Sequence, residues 1–202
     1  MPSLKTLVCI FVVLSIAVST ANAKTSYAYV ANNSGNSVSV VNLTTNAVVA
    51  TIPVGSFPYG VAVNQAGTLA YVTNAGANTV SIISTATKAV TGTLTLTGLS
   101  GPMDIALTPN GKTAYVSCGN NTVAVINTVA KTFKTITVQN PIGLAVTPNG
   151  AFVYVVSSGP GKVLAISTLT NSGLAFSRAA IFSAMARGLA FASLAAASAP
   201  LH

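Results

Sequence analysis

Short apolar runs separated by polar turns make up most of the chain, from about residue 26 to residue 176. Some runs alternate apolar and polar positions and others are continuously apolar, and Gly, Pro and Asn mark the boundaries between them. Runs of this kind predict β-strands, whereas the spacing typical of amphipathic helices is nearly missing from the same stretch. The pattern therefore predicts an all-β fold.

One group of strand signatures recurs along the chain. A Tyr-Val pair stands at residues 29–30, 71–72, 115–116 and 154–155, at spacings of 42, 44 and 39 residues. A run that begins with Pro precedes each of the last three pairs, and a further run with alternating Val follows every pair. Internal repeats of this length are typical of solenoids and propellers.

The second repeat shows the strands of one unit most clearly, at residues 60–63, 69–73, 79–84 and 89–96. Its first strand is small and apolar, as expected where units crowd around an axis, and its last strand is rich in Thr, as expected on a wet rim. Four strands in a unit of about 40 residues predict the blade of a β-propeller.

Two motifs in these units resemble a known family. Tyr71-Val72-Thr73-Asn74 matches the signature of the YVTN β-propeller repeat proteins, and residues 108–116 resemble that family's turn-then-strand motif. The resemblance extends over about residues 26–168. It implies an exported prokaryotic surface or periplasmic protein of the surface-layer-like or surface-antigen type, a family with some members grouped beside lactonase-like propellers.

The number of blades follows from the repeat boundaries. Complete units occupy about 60–96 and 104–138, a third begins at Gly143 and runs toward Phe182, and residues 26–52 supply the last three strands of another. The strand missing from that unit has a counterpart in residues 187–191, which echo residues 142–146 at an offset of 45.

Pairing of the two termini in one blade would close a four-bladed ring and leave no exposed sheet edge. The tail at 177–202 is Ala-rich, however, and such a composition also favours a helix. Two alternatives therefore stay open: an arc of a larger propeller that pairs with a second copy, and a truncated fragment of a larger propeller.

The first 23 residues have the features of a secretory signal peptide. Lys5 precedes an apolar run from Leu7 to Val18, and Ala21-Asn22-Ala23 forms an A-x-A site that predicts cleavage after Ala23. A membrane-spanning helix needs about 20 apolar residues, more than this run contains. We therefore expect a secreted, periplasmic or cell-surface protein with repeats at 24–176 and no membrane span after cleavage.

Composition narrows the range of functions. The chain of 202 residues has nine Lys and Arg against one acidic residue, and 51% of its residues are hydrophobic. So apolar a chain is not intrinsically disordered. The sequence has no Glu, its only Asp is Asp104 and its only His is His202, which excludes most enzymes that depend on acid–base catalysis. The positive residues are scattered singly, which argues against a nucleic-acid partner.

Asp104 stands where the other repeats have Gly60 and Gly143. It is the one candidate for a metal ligand or for the catalytic carboxylate of a lactonase-like hydrolase. A single carboxylate makes a poor site for a hard cation, which prefers several oxygen ligands. We expect Asp104 instead to accept hydrogen bonds from backbone N–H groups at a strand start, and we expect no cofactor.

The remaining candidates are aromatic, thiol and amide side chains. The Tyr of each Tyr-Val pair is expected to pack between blades, and Cys118 to be a small buried residue of a strand. Phe57 and Tyr59 are expected in the core, with an aromatic surface that stacks on sugars as the alternative. The N-glycosylation pattern occurs at Asn32, Asn42 and Asn120.

These features favour an exported, non-enzymatic binding or assembly module over an enzyme. Its partner would be a protein or a cell-envelope polymer, and self-association would be possible through open sheet edges. Attraction to anionic cell-surface polymers is also open, because the chain is basic. A lactonase-like hydrolase using Asp104, and a fragment without independent function, are the alternatives.

Overall fold

A computed structural model describes residues 26–159 and 162–177, with the side chains of 173–177 excepted. These residues form four antiparallel sheets, one with three strands and three with four. The first sheet contains β1 (Tyr27–Asn32), β2 (Ser37–Asn42) and β3 (Ala47–Pro53), and a short 3-10 helix, Asn33–Gly35, joins β1 to β2. The second contains β4 (Pro58–Val63), β5 (Leu69–Asn74), β6 (Thr79–Ser84) and β7 (Ala89–Thr95). The third contains β8 (Pro102–Leu107), β9 (Thr113–Cys118), β10 (Thr122–Asn127) and β11 (Thr132–Thr137), and the fourth contains β12 (Pro141–Val146), β13 (Phe152–Ser157), β14 (Lys162–Ser167) and β15 (Gly173–Ser177).

Each sheet is a meander in which consecutive strands pair with one another. The all-β prediction is confirmed, and so is the three-stranded unit at the N-terminal end of the repeats. The four strands predicted for the second unit coincide with β4 to β7, and their ends differ by no more than two residues. The strands were predictable because Gly, Pro and Asn interrupt the apolar runs at each turn.

Apolar side chains are buried between successive sheets. β1 contacts β4, β4 contacts β8, and β8 contacts β12, so the sheets follow one another in chain order. Three buried clusters fill the spaces, one between each pair of neighbouring sheets. The Thr-rich last strands β7 and β11 are largely exposed, as their composition predicts.

The terminal segments lie outside the described residues. They include the predicted signal peptide at 1–23, most of the Ala-rich tail at 177–202 and the proposed ring-closing strand at 187–191. In the described ranges, no helix has the length and apolar character needed to cross a lipid bilayer.

The first strand of each four-stranded sheet is bulged at the same place. Pairing of β4, β8 and β12 with the next strand shifts register just after the initial Pro. A bulge locally bends the strand and leaves one residue without a ladder partner. The register shift falls across residues 59–60, 103–104 and 142–143, so the sole acidic side chain, Asp104, stands at an irregular point of the sheet.

The turn before the last strand of every sheet ends in a residue with left-handed backbone conformation. Asn46 and Asn171 occupy this position in the first and last units, with φ of 53° and 54°. Lys88 and Lys131 occupy it in the other two, with φ of 51° and 56°. Asn tolerates the left-handed region better than Lys does, because its short polar side chain bonds to the local backbone.

We expect Lys131→Asn to stabilise the protein by about 0.5 kcal/mol, because it removes part of the cost of left-handed Lys. Urea denaturation of the variant and the parent measures the difference. The control is Lys112→Asn, since Lys112 is also exposed in a turn but does not have positive φ. An equal gain in both variants would contradict the backbone explanation.

Candidate functional site

Asp104 connects two sheets through backbone hydrogen bonds. The N–H of Leu144, in β12, donates to Asp104 Oδ2 at 2.7 Å, and the N–H of Ile105 donates to Oδ1 at 2.9 Å. Asp104 in turn donates its own N–H to Ser117 Oγ at 3.0 Å. Both carboxylate oxygens therefore accept backbone N–H groups at a strand start, which is the role expected from the sequence.

Two effects of opposite sign act on the ionisation of the Asp104 carboxyl group. Burial raises the pKa of the carboxyl group above its ordinary value, and the N–H groups of Leu144 and Ile105 lower it by favouring the charged form. Desolvation is the larger effect. In residues 26–159 and 162–177, no group of three or more His, Cys, Asp or Glu side chains lies together as a metal site would require.

Two hydroxyl groups join neighbouring sheets at the bulges. The N–H of Gly60 donates to Thr73 Oγ1 at 2.8 Å, and this hydroxyl donates to the carbonyl of Met103 in the next sheet. Ser117 repeats the arrangement: its hydroxyl accepts from Asp104 N–H and donates to Ile142 O at 2.8 Å. The third residue of the Tyr-Val-Thr-Asn signature thus bonds one sheet to the next.

This role was not predicted from the sequence, although the repeat carries a signal for it. Thr73 and Ser117 occupy the same repeat position, two residues after Tyr. Ala31 and Val156 occupy it in the first and fourth units and have no hydroxyl to donate. The hydroxyl link therefore occurs at two junctions, one between the second and third sheets and one between the third and fourth sheets.

A repeated Asn makes a second bond between sheets. Asn36, Asn78 and Asn121 immediately precede β2, β6 and β10, the next-to-last strands of the first three sheets. All three have positive φ. The Oδ1 atom of each accepts the N–H of the residue just before the Pro that opens the next sheet, at 3.0, 2.9 and 2.9 Å. The donors are Phe57, Gly101 and Asn140, which also have positive φ. We call these three hydrogen bonds the Asn clamps.

Tyr29, Tyr71 and Tyr115 of the Tyr-Val pairs lie between sheets, as expected. Tyr115 is fully buried in the cluster between the third and fourth sheets. Its hydroxyl donates to Asn171 Oδ1 of the fourth sheet at 2.8 Å. Tyr71 of the second sheet interacts through its hydroxyl with Thr128 of the third. Burial raises the pKa of both Tyr hydroxyls.

Cys118 is buried in β9, as expected. Burial raises the pKa of its thiol to about 11, so very little reactive thiolate forms near neutral pH. Its position in the fold is that of a small apolar side chain.

The expectation that Phe57 and Tyr59 lie in the core is wrong. Phe57 is 54% exposed and Tyr59 is 44% exposed. Phe57 stands in a loop with positive φ, where its ring lies against Gly76 and outside the interior. Tyr59 immediately precedes the bulge residue Gly60, at the start of β4. Both residues are thus exposed at the end of the sheets where the first strands begin.

The three N-glycosylation patterns differ in their environments. Asn32 donates its side-chain N–H groups to Ser37 and Ser39, at 3.1 and 2.8 Å. Asn42 uses its Oδ1 to accept two backbone N–H groups of the following turn. Asn120 is exposed and donates to Gly98 O at 3.2 Å. Of the three, Asn120 therefore has the most accessible amide.

A polar cleft of about 360 Å³ lies between the third and fourth sheets. Its apolar walls are Val125 and Phe133, and Lys134 contributes a positive charge. Hydroxyl and amide side chains form the rest of the lining: Thr113, Asn127, Thr132, Thr168 and Asn171. The cleft was not predictable from the sequence, because residues from two separate repeats form it.

Comparison with known proteins gives a similarity of fold. The structure of Kuenenia stuttgartiensis hydrazine synthase is similar to this chain, with a TM-score of 0.69 and 25% sequence identity. The matched region covers 75% of this chain and 46% of the synthase chain, so the chain spans less than half the length of that protein. No protein-family model matches the chain, and no curated protein matches it.

The bulge position offers a matched pair of substitutions. A Cβ added to Gly60 would lie 2.6 Å from the carbonyl oxygen of Met103, whereas one added to Gly143 would meet nothing closer than Asp104 Oδ2, at 4.0 Å. We expect Gly60→Ala to destabilise the protein by about 1–3 kcal/mol. Gly143→Ala should change the stability by less than about 0.5 kcal/mol. Equal effects in thermal denaturation would contradict close packing at Gly60.

Asp104 should determine the acid-range stability profile, because it is the only acidic side chain in the sequence. Its folded-state pKa is raised, so its contribution to the free energy of unfolding is fully present below the ordinary carboxyl pKa. That contribution is lost as pH rises through the raised pKa. Urea denaturation at a series of pH values should show this loss in the parent and not in Asp104→Asn.

The same variant should be less stable than the parent near neutral pH by about 1–2 kcal/mol. The amide provides one acceptor oxygen where the carboxylate provides two, so one backbone N–H loses its partner. An identical pH profile in parent and variant would show that Asp104 does not produce the acid-range change.

Proposed function

We propose that the chain is an exported, non-enzymatic β-propeller of the YVTN-repeat type that acts as a binding or assembly module at the cell surface or in the periplasm. The observation that carries the proposal is the use of Asp104. The only acidic side chain in the sequence accepts N–H groups from β8 and β12 and holds these strands together. A lactonase-like hydrolase that uses Asp104 would need that carboxylate free to meet its substrate.

Three features support the propeller arrangement. The sheets are four-stranded meanders in chain order, their first strands β4, β8 and β12 lie side by side, and apolar clusters fill the spaces between sheets. A propeller places its blades around a channel in this way. We further propose that residues 187–191 supply the first strand of the N-terminal unit. The alternative is that the chain forms an arc within a larger propeller. The match to 46% of the hydrazine synthase chain would also agree with that alternative.

A binding role agrees with the side chains at the end where the first strands begin. Phe57, Tyr59 and Ile142 are exposed there, and Asn-rich loops surround them. Exposed aromatic rings beside amide groups suit a sugar polymer, since rings stack on sugar faces while amides bond to hydroxyl groups. A cell-envelope polymer or an envelope protein is therefore the proposed class of partner.

Two assays on the exported protein test the proposal. Sedimentation with envelope particles from the producing cells should show retention of the protein, and a panel of lactones and esters should show no hydrolysis above the buffer rate. Asp104→Asn should bind as the parent does, at a temperature where both are folded, because Asp104 acts between strands. Gly143→Ala is the matched control at the same repeat position.

Two outcomes would contradict the proposal. Hydrolysis by the parent that is lost in Asp104→Asn and kept in Gly143→Ala would identify a lactonase-like hydrolase. Failure of the folded parent to bind envelope particles would remove the proposed role as a binding module.

A further inference from the structure

The four sheets have one end that is basic and carries exposed aliphatic side chains. At this end lie the turns between first and second strands and those between third and fourth strands, and we call it the turn end. In each four-stranded sheet the two turns are bonded together. The donors Thr85, Thr128 and Thr168 give both their N–H and their hydroxyl to carbonyl groups of the neighbouring turn.

The turn end carries a concentration of positive charge. Lys88, Lys112 and Lys131 all lie in its turns. Asp104 lies toward the opposite end of β8, so no acidic side chain accompanies these lysines. Lys88 lies over the ring of Tyr27, with its Nζ 5.1 Å from the ring centre. Three of the five lysines that the structure describes therefore lie in the turns at one end of the sheets.

Two aliphatic side chains project from the same end. Val129 is 76% exposed and Leu169 is 91% exposed, at equivalent positions in the third and fourth units. Thr44 and Ala86 stand at this position in the first and second units. Neither aliphatic residue belongs to a core cluster, so the fold does not explain a large apolar side chain at either turn tip.

Residues of the two turns that carry these tips line the polar cleft. Asn127, which accepts the N–H of Val129 at 3.0 Å, lines the cleft on one side, and Thr168, the neighbour of Leu169, lines it on the other. Lys134 contributes its positive charge to the lining. The arrangement combines a cationic cleft, rich in hydroxyl and amide groups, with an aliphatic residue on either side.

We propose that the turn end docks on a membrane surface that contains anionic phospholipid. Val129 and Leu169 enter the apolar boundary of the bilayer, and the cleft with Lys134 receives a phosphate-bearing headgroup. Lys112 and Lys131 face the negative surface potential around it. The charge of the turn end and its exposed aliphatic tips together favour lipid over a soluble polymer, because a polymer in water offers the tips no apolar environment. This inference goes beyond the proposed function, because it assigns a second surface, at the end of the sheets opposite Phe57 and Tyr59.

Sedimentation with vesicles tests the inference. The exported protein should bind mixed phosphatidylcholine–phosphatidylglycerol vesicles and should bind pure phosphatidylcholine vesicles much more weakly. The double variant Val129→Thr with Leu169→Ser should lower the partition coefficient by about tenfold or more. Lys112→Gln, Lys131→Gln and Lys134→Gln should each lower it by about fivefold.

Matched controls lie at the opposite end of the sheets. Ile142→Thr removes an exposed aliphatic side chain at the start of β12, and Lys162→Gln removes a charge at the start of β14. Both variants should bind vesicles as the parent does. Far-ultraviolet circular dichroism of every variant confirms that the β structure is retained.

Three results would overturn the inference: no binding of the parent to anionic vesicles, unchanged binding of the double tip variant, or equal losses in the controls. Binding of a soluble polyuronate that depends on the lysines and not on the tips would assign the surface to an acidic polymer and would also overturn it. If the tip variant loses vesicle binding but still sediments with envelope particles, the inference and the proposed function both stand and use separate surfaces. If it keeps both, only the inference fails.

Discussion

The arrangement of the sheets depends on the Asn clamps, in which an Asn of one sheet accepts the backbone N–H that immediately precedes the next sheet. Donor and acceptor both have positive φ, so the backbone at each junction is fixed on both sides of the bond. The carbonyl of the donor residue then accepts an N–H from the loop between the second and third strands of its own sheet. Each clamp therefore orients the incoming Pro and, through it, the bulged first strand.

Because the Asn clamps orient the first strands, the residues around the bulges of neighbouring sheets come into contact. The first strands lie side by side, so close together that Gly60 has no room for a Cβ beside Met103. Thr73 and Ser117 bond across the same junctions, and Asp104 does so where its neighbour Gly143 leaves space. Two N–H groups offset part of the cost of burying a carboxylate at one such position, although desolvation remains the larger effect.

The sequence predicted those features that depend on neighbouring residues. Strand ends, the repeat and the three-stranded first unit follow from apolar runs and from turn residues within each unit. The burial of Cys118 and the bonding of Asp104 also followed, from the strand pattern and from the lack of other acidic residues. The exposure of Phe57 and Tyr59 and the polar cleft did not follow. They depend on how one sheet sits against another, which a strand pattern does not specify.

The Asn clamps also bear on how such a chain finds its structure. Acceptor and donor are separated by only 21, 23 and 19 residues along the sequence. The entropic cost of closing a loop grows with the logarithm of its length. The entropy lost in forming each junction is therefore little more than that lost in forming a long hairpin. The four sheets of the described residues are thus joined through contacts of low sequence separation, and topology of this kind favours rapid folding from one unit to the next.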